Sequence, residues 1–172
     1  YSAALILSTL APQLKDRPDA LGRLEQAQQV LSSANDDLRA YMRTLRAEET
    51  PISVVDALRL LIRDPRYLGL VEIQLECSGD CGLSTGQTHH ILAIVQECLA
   101  NVVRHAQAER VWVSLDRVAE GLEVRVRDNG RGFAQDTITP GWGLRAMHDR
   151  ARLAGGRLTV ESQPGRGTTV TY

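Results

Sequence analysis

Residues 126–168 constrain the fold of this chain more than any other stretch. Eight of the chain's 14 glycines fall between Gly130 and Gly167, so the backbone there must bend freely or approach another group closely. Residues 122–127 alternate apolar and charged side chains, a pattern typical of a half-buried strand. The alternation places Asp128 on the apolar side of that strand, where a carboxylate is costly unless a hydrogen-bond donor meets it.

The glycine-rich stretch has two interpretations. Asp128-Asn129-Gly130 is a strong signal for a plain hairpin turn. The residues that follow, however, form no second alternating strand but two Gly-x-Gly patterns, at 130–132 and 141–143, the second opening an apolar helix. A buried acceptor, flexible loops and a helix N-terminus together favour a nucleotide pocket over the plain turn.

The N-terminal third predicts a long helix over residues 19–49 that pairs with other helices. Its apolar repeat of 3.5 residues is typical of coiled-coil-like packing, and polar seam residues would fix the register. The partner is either the segment 1–14 in an intramolecular hairpin or a second chain, and we expect both, as a four-helix homodimer. The seam contains Leu24, Gln28, Leu31, Asn35, Leu38 and Leu45.

Thr50-Pro51 separates two predicted domains, residues 1–50 and 51–172. In the second domain, helical and alternating patterns predict a mixed sheet covered on one face by helices, an α/β two-layer sandwich. The predicted elements are a connecting helix at 52–64, a strand at 71–75, a helix from a Ser84 capping box to about Ala106, strands at 110–116 and 122–128, a helix at 143–153, and strands at 157–162 and 167–172.

The helix that begins at Ser84 carries a polar stripe beside its apolar face. Glu97 and Asn101 are four residues apart and therefore stack on one face, with Arg104 and His105 one turn further on. The stripe can be a solvated face, but a carboxylate and an amide oxygen on adjacent turns also suit Mg²⁺. Arg104 and His105 would then meet the phosphates that carry the metal.

Composition excludes several functions. A net charge of −1 argues against direct nucleic-acid binding by phosphate neutralisation. No apolar run approaches the roughly 18 residues of a membrane span, and the sequence predicts no signal peptide. Cys77, Cys81 and Cys98 lack a second metal-binding pair, which favours reduced thiols and a cytoplasmic location. Tyr1 and Tyr172 fall within predicted elements, so we expect the chain to be part of a longer protein.

Several motifs resemble those of one superfamily. Residues 96–106 resemble the N box of the GHKL (Bergerat-fold) ATPases, residues 128–133 and 141–147 resemble its two glycine boxes, and residues 167–169 resemble its closing motif. Residues 36–46 are similar to the second dimerisation helix of the histidine kinases that signal to NarL-type response regulators, and the short lid between Gly132 and Gly141 also fits that subfamily.

The resemblance assigns roles to individual residues. Asp128 would accept a hydrogen bond from the adenine amino group of ATP, with Thr168 nearby. Asn101 would hold Mg²⁺, and Glu97 matches the N-box acid, which implies a catalytic role and a second contact to the metal. The other nucleotide-binding residues would be Arg104, His105, Gly130, Gly132, Gly141, Gly143 and Leu144.

The implied function is that of the ATP-binding catalytic portion of a two-component sensor histidine kinase, which transfers the γ-phosphate to a histidine and thence to a response regulator. The acceptor histidine would precede residues 3–10, yet no histidine precedes His89, so this chain should bind Mg-ATP without autophosphorylating. Alternatives are a catalytically idle dimerisation and nucleotide-sensing module, or a GHKL ATP hydrolase. Any membrane attachment would come through regions upstream of this chain.

Overall fold

The structure, a computed structural model, describes residues 17, 20, 22–24, 27, 31, 53–78, 82–119, 121–134 and 142–172. The chain divides into two compact units, Tyr1–Glu49 and Thr50–Tyr172. In the first unit, residues 20, 22–24, 27 and 31 are helical, and Leu24 is buried whereas Leu31 is 41% exposed. The other heptad positions, and with them the predicted dimerisation hairpin, lie outside the described residues.

The second unit is built on a five-stranded mixed sheet with the strand order β1-β2-β3-β5-β4. Strands β1 and β2 pair in parallel, and the other neighbours are antiparallel. This arrangement confirms the predicted α/β class and the predicted order of elements. The elements are α1 (Val54–Ile62), β1 (Glu72–Cys77), α2 (Thr85–Asn101), β2 (Arg110–Val118), β3 (Gly121–Asp128), α3 (Trp142–Leu153), β4 (Thr159–Ser162) and β5 (Thr168–Thr171).

The core lies between the helices and one face of the sheet. Alternation places every second residue of β2 and β3 against the helices, while Arg125 and Arg127 face outward. Burying each aliphatic side chain of this kind contributes roughly 1.5–3 kcal/mol. The predicted core face of α2 is confirmed, and the buried set includes Ile91, Val95, Cys98, Leu99, Val102, Val111, Val113, Leu115, Val124 and Val126.

Local signals fix the ends of the two long helices. Ser84 and Gln87 form the predicted capping box at the start of α2. Gly155 ends α3 with φ +87°, and the N–H groups of Gly155 and Gly156 donate to the carbonyls of Arg152 and Ala151, which is a Schellman motif. No helix among the described residues is long and apolar enough to cross a membrane.

One boundary differs from the prediction. The helix expected to run to about Ala106 is α-helical only to Asn101 and continues as a π-helical turn over Val102–Ala106. Gln107 then takes a left-handed conformation with φ 52°. Such π-turns are rare and occur frequently at functional sites, and this one carries Arg104 and His105.

Candidate nucleotide-binding site

A cavity of about 380 Å³ opens at the end of α2, beside the glycine loop that follows β3. Its volume falls within the range of small-molecule sites. The wall is mostly apolar, with few charged groups, as expected for a pocket that holds a flat base and fixes its orientation by a few polar contacts. The lining residues are Cys98, Asn101, Val102, His105, Ala106, Val126, Asp128, Arg131, Gly132, Phe133, Leu144, Met147, Val160, Thr168 and Val170.

Asp128 is the buried acid of this cavity, with 5% of its surface exposed. It is the last residue of β3 and follows Val124 and Val126 on the core face, which confirms the burial that the alternation predicted. Its Oδ1 accepts the Gly130 N–H at 2.8 Å, and the Thr168 backbone N–H also donates to the carboxyl. Burial raises the pKa of Asp128, and these two backbone donors act in the opposite direction.

Three glycines let separate loops pack directly against one another. A Cβ on Gly130 would lie 2.3 Å from the Ala106 carbonyl oxygen, and one on Gly132 would lie 2.1 Å from the Gln163 carbonyl oxygen. A Cβ on Gly167 would lie 2.0 Å from the Asp128 carbonyl oxygen. The sequence predicted a backbone that bends freely or approaches another group closely, and the structure shows that the group approached is the protein's own backbone.

The polar stripe of α2 divides between the cavity and its surroundings. Asn101, half-buried, and His105, on the exposed π-turn, both line the cavity, whereas Arg104 is exposed and outside the lining set. Glu97 is half-buried and also outside that set. Burial raises the pKa of the neighbouring Cys98 thiol, and the charge of Glu97 adds to that effect. The structure therefore brings Asn101 and His105, but not Glu97, to the cavity wall.

The cavity wall offers the amide oxygen of Asn101 as a ligand for a metal ion. Among the described residues, no group of three or more His, Cys, Asp and Glu side chains is placed to hold a metal ion. Mg²⁺ commonly takes only one or two protein oxygens and completes its shell with phosphate oxygens and water. The amide oxygen of Asn101 on the cavity wall fits that mode of binding.

The second glycine box is only partly described. Leu144 lines the cavity and Gly143 is buried at the start of α3, whereas Gly141 lies outside the described residues. Met147, one turn along α3, also lines the cavity, and the Cys98 thiol contacts its Sδ at 3.6 Å. This contact joins α3 to α2 at the cavity wall.

Two polar residues that position the site were missed by the sequence reasoning. Asn129 Oδ1 accepts the N–H groups of Glu109 and Arg110 at 3.1 and 2.9 Å, which ties the glycine loop to the start of β2. Ser162 Oγ accepts the Phe133 N–H at 2.9 Å. The sequence indicates Asn129 as a turn residue, but no local pattern identifies its hydrogen-bond partners, because they are distant in the chain.

Comparison with known proteins finds a family match over the residues that form the cavity. The family described as "Histidine kinase-, DNA gyrase B-, and HSP90-like ATPase" matches residues 86–172. The chain is 29% identical to the sensor histidine kinase LiaS of Bacillus subtilis, over 99% of this chain and 48% of that protein. It is also 29% identical to the nitrate/nitrite sensor protein NarQ of Escherichia coli, over 99% of this chain and 32% of that protein. The chain thus spans about half, or less, of the length of these relatives.

A solved structure agrees in fold. The histidine kinase domain of the blue-light activated histidine kinase of Erythrobacter litoralis EL346 superposes with a TM-score of 0.64. The similarity covers 99% of this chain and 93% of that chain at 19% sequence identity. At that level of identity, the likeness concerns the fold alone.

Proposed function

Since the chain belongs to the family of histidine kinase-, DNA gyrase B- and HSP90-like ATPases, we propose that residues 51–172 are the ATP-binding catalytic part of a sensor histidine kinase. The reaction is transfer of the γ-phosphate of Mg-ATP to a histidine, from which a response regulator takes it. The resemblance of residues 36–46 to the second dimerisation helix of the kinases that signal to NarL-type regulators favours a regulator of that type. The N-terminal helices would pair two copies of the chain.

The observation that carries this proposal is the buried carboxylate of Asp128 in a mostly apolar cavity. A buried carboxylate needs hydrogen-bond donors, and the backbone N–H groups of Gly130 and Thr168 already donate to Asp128. A carboxylate can accept about four hydrogen bonds, so Asp128 keeps capacity for a donor from a ligand. An exocyclic amino group on a flat base would supply that donor. Val126, Val170 and Met147, which line the cavity, would pack against the base.

Polar residues of α2 and of the π-turn would serve the phosphate side of the reaction. Phosphoryl transfer depends chiefly on positioning and on neutralising charge. Mg²⁺, when bound, would supply positive charge that offsets the negative charge of the phosphates. Asn101 would hold that ion through its amide oxygen, while His105 and the exposed Arg104 would donate to phosphate oxygens from the π-turn. Glu97, beside Asn101 on the preceding turn, would contact the metal through a bound water or orient the attacking group.

The test of the nucleotide site is calorimetric titration of the chain with Mg-ATP. Asp128→Ala should weaken binding by about ten- to a hundredfold, since a hydrogen bond to a charged group contributes roughly 1.5–3 kcal/mol. Asp149→Ala is the matched control, because Asp149 is exposed, pairs with Arg152 at 2.6 Å and lies outside the cavity lining. Equal affinities of the Asp128→Ala variant and the wild-type chain would refute the site.

Magnesium dependence gives a separate test. Asn101→Ala should leave the affinity for ATP measured in the presence of a chelator unchanged, while it removes most of the gain produced by added Mg²⁺. The same titrations with and without 1,2-diaminocyclohexane tetraacetate measure both quantities. A full magnesium effect in the variant would remove Asn101 from the proposed metal site.

The four histidines of this chain are poorly placed to accept the phosphate. His89 and His90 lie at the start of α2, about 18 Å along the helix from Asn101 at 1.5 Å per residue. His148 is exposed on α3, and His105 lies on the wall of the donor site itself. We therefore expect no acid-labile label on this chain after incubation with γ-labelled ATP. Acid-labile label would show that the acceptor is one of these four.

A further inference from the structure

Ser162, the last residue of β4, lies behind the cavity wall with 8% of its surface exposed. Its hydroxyl takes part in three hydrogen bonds. The Phe133 N–H donates to its Oγ at 2.9 Å, and the Oγ donates to the Gly167 carbonyl oxygen at 3.1 Å. The Thr168 hydroxyl oxygen lies 2.9 Å away, and either hydroxyl can be the donor of that bond.

Counting donors decides the direction of the third bond. A serine hydroxyl has one hydrogen and two lone pairs. The Gly167 carbonyl can only accept, so it takes the serine hydrogen, and the Phe133 N–H occupies one lone pair. The second lone pair can meet only a donor, which is the hydroxyl hydrogen of Thr168. In this arrangement every donor of the cluster has an acceptor, whereas reversing the bond takes the serine hydrogen away from the Gly167 carbonyl.

The consequence falls on Thr168, which lines the cavity. Its hydroxyl hydrogen is directed toward Ser162, so only its oxygen lone pairs remain for a ligand. Asp128 is held beside it, because the backbone N–H of Thr168 donates to the Asp128 carboxyl. This part of the wall therefore presents two acceptors, a carboxylate and an alcohol oxygen, to the edge of a bound base.

We propose that Ser162 is a positioning residue for base selectivity, which fixes the Thr168 hydroxyl as an acceptor and so favours purines that carry an amino group over purines that carry a carbonyl at the same position. The inference rests on the proposed ATP site. An amino group donates to both acceptors. A carbonyl has no hydrogen to donate to the Asp128 carboxylate or to the Thr168 hydroxyl oxygen, and its own oxygen would lie against these two acceptor oxygens.

The experiment compares ATP with inosine triphosphate, which replaces the 6-amino group by a carbonyl, by calorimetry on the full chain. The measured quantity is the ratio of the two dissociation constants. Ser162→Ala should reduce the preference for ATP by about two- to tenfold, the effect of one neutral hydrogen bond. The reason is that the released Thr168 hydroxyl can turn its hydrogen toward the carbonyl of the inosine base. Ser162→Thr, which keeps a hydroxyl, should retain the wild-type ratio.

A double-mutant cycle tests whether the effect passes through Thr168. In a Thr168→Val background there is no hydroxyl to orient, so Ser162→Ala should leave the ratio unchanged. Equal loss of affinity for both nucleotides in Ser162→Ala would show a merely structural role and overturn the inference. So would a changed ratio in the Thr168→Val background. Failure of the wild-type chain to bind ATP would instead overturn the proposed function and the inference with it, so the two failures are distinguishable.

Discussion

Replacing Gly167 by alanine should damage both stability and nucleotide binding, and Gly165 supplies a matched control. Both glycines lie in the turn between β4 and β5 with φ +76°, so both alanine variants pay the same left-handed strain, roughly 1–2 kcal/mol. They differ in their surroundings. A Cβ at Gly165 meets nothing within 4 Å, whereas a Cβ at Gly167 would lie 2.0 Å from the Asp128 carbonyl oxygen and 3.1 Å from its Oδ1.

The magnitude follows from that difference. The contact must open by about 1 Å, and forcing an extra carbon into a packed site costs about 1–3 kcal/mol. For a unit of this size, 1 kcal/mol corresponds to about 4 °C in the unfolding midpoint. Gly167→Ala should therefore unfold about 4–12 °C below Gly165→Ala. The displaced backbone also carries Thr168 away from Asp128, so ATP affinity should fall in Gly167→Ala alone.

Calorimetric unfolding and ATP titration of the two variants and the wild-type chain measure both effects. The left-handed strain is common to the two variants and cancels in their comparison. Equal unfolding midpoints would refute the reasoning, because they would mean that the contact with Asp128 relaxes at no cost. An unchanged ATP affinity in Gly167→Ala would separate this turn from the nucleotide site.

Three further predictions concern single side chains. Burial raises the pKa of Asp128 above its ordinary value of 3.8. The stability that protonated Asp128 contributes is therefore present below pH 3.8 and is lost as pH rises through the raised pKa. Unfolding measured between pH 3.5 and 8 should show that the wild-type chain loses stability with rising pH relative to Asp128→Asn. Burial also raises the pKa of the Cys98 thiol, so iodoacetamide at pH 8 should modify Cys98 far more slowly than the half-buried Cys77 in the native chain. Mass spectrometry of the peptides measures the two rates, and equal rates would contradict the burial of Cys98. Asn129→Ala should lower the free energy of unfolding by about 1–3 kcal/mol because two backbone donors lose their acceptor. Asn129→Asp keeps an acceptor, so urea denaturation should show a smaller loss of unfolding free energy for it than for Asn129→Ala.

The sequence by itself determined the elements and the local placement of the main acid. Alternation along β3 put Asp128 on the buried side, and helical spacing on α2 separated the apolar face from the stripe of Glu97 and Asn101. The capping box at Ser84 and the glycines after α3 fixed helix ends. These features are local, because they depend on periods of 2 and 3.6 residues and on side chains that contact the backbone a few positions away. The roles given to the site residues remain predictions.

Only the tertiary structure decided which distant backbones meet. The strand order β1-β2-β3-β5-β4 brings the turn after β4 against the glycine loop after β3, and that meeting explains Gly132 and Gly167. Ser162 and Asn129 act through partners 29 and 20 residues away. The π-turn after Asn101 was not predicted from the sequence either, and its last carbonyl, that of Ala106, packs against Gly130 of the distant glycine loop. Local periodicity does not predict such contacts, because they form only when elements far apart in the chain pack against one another.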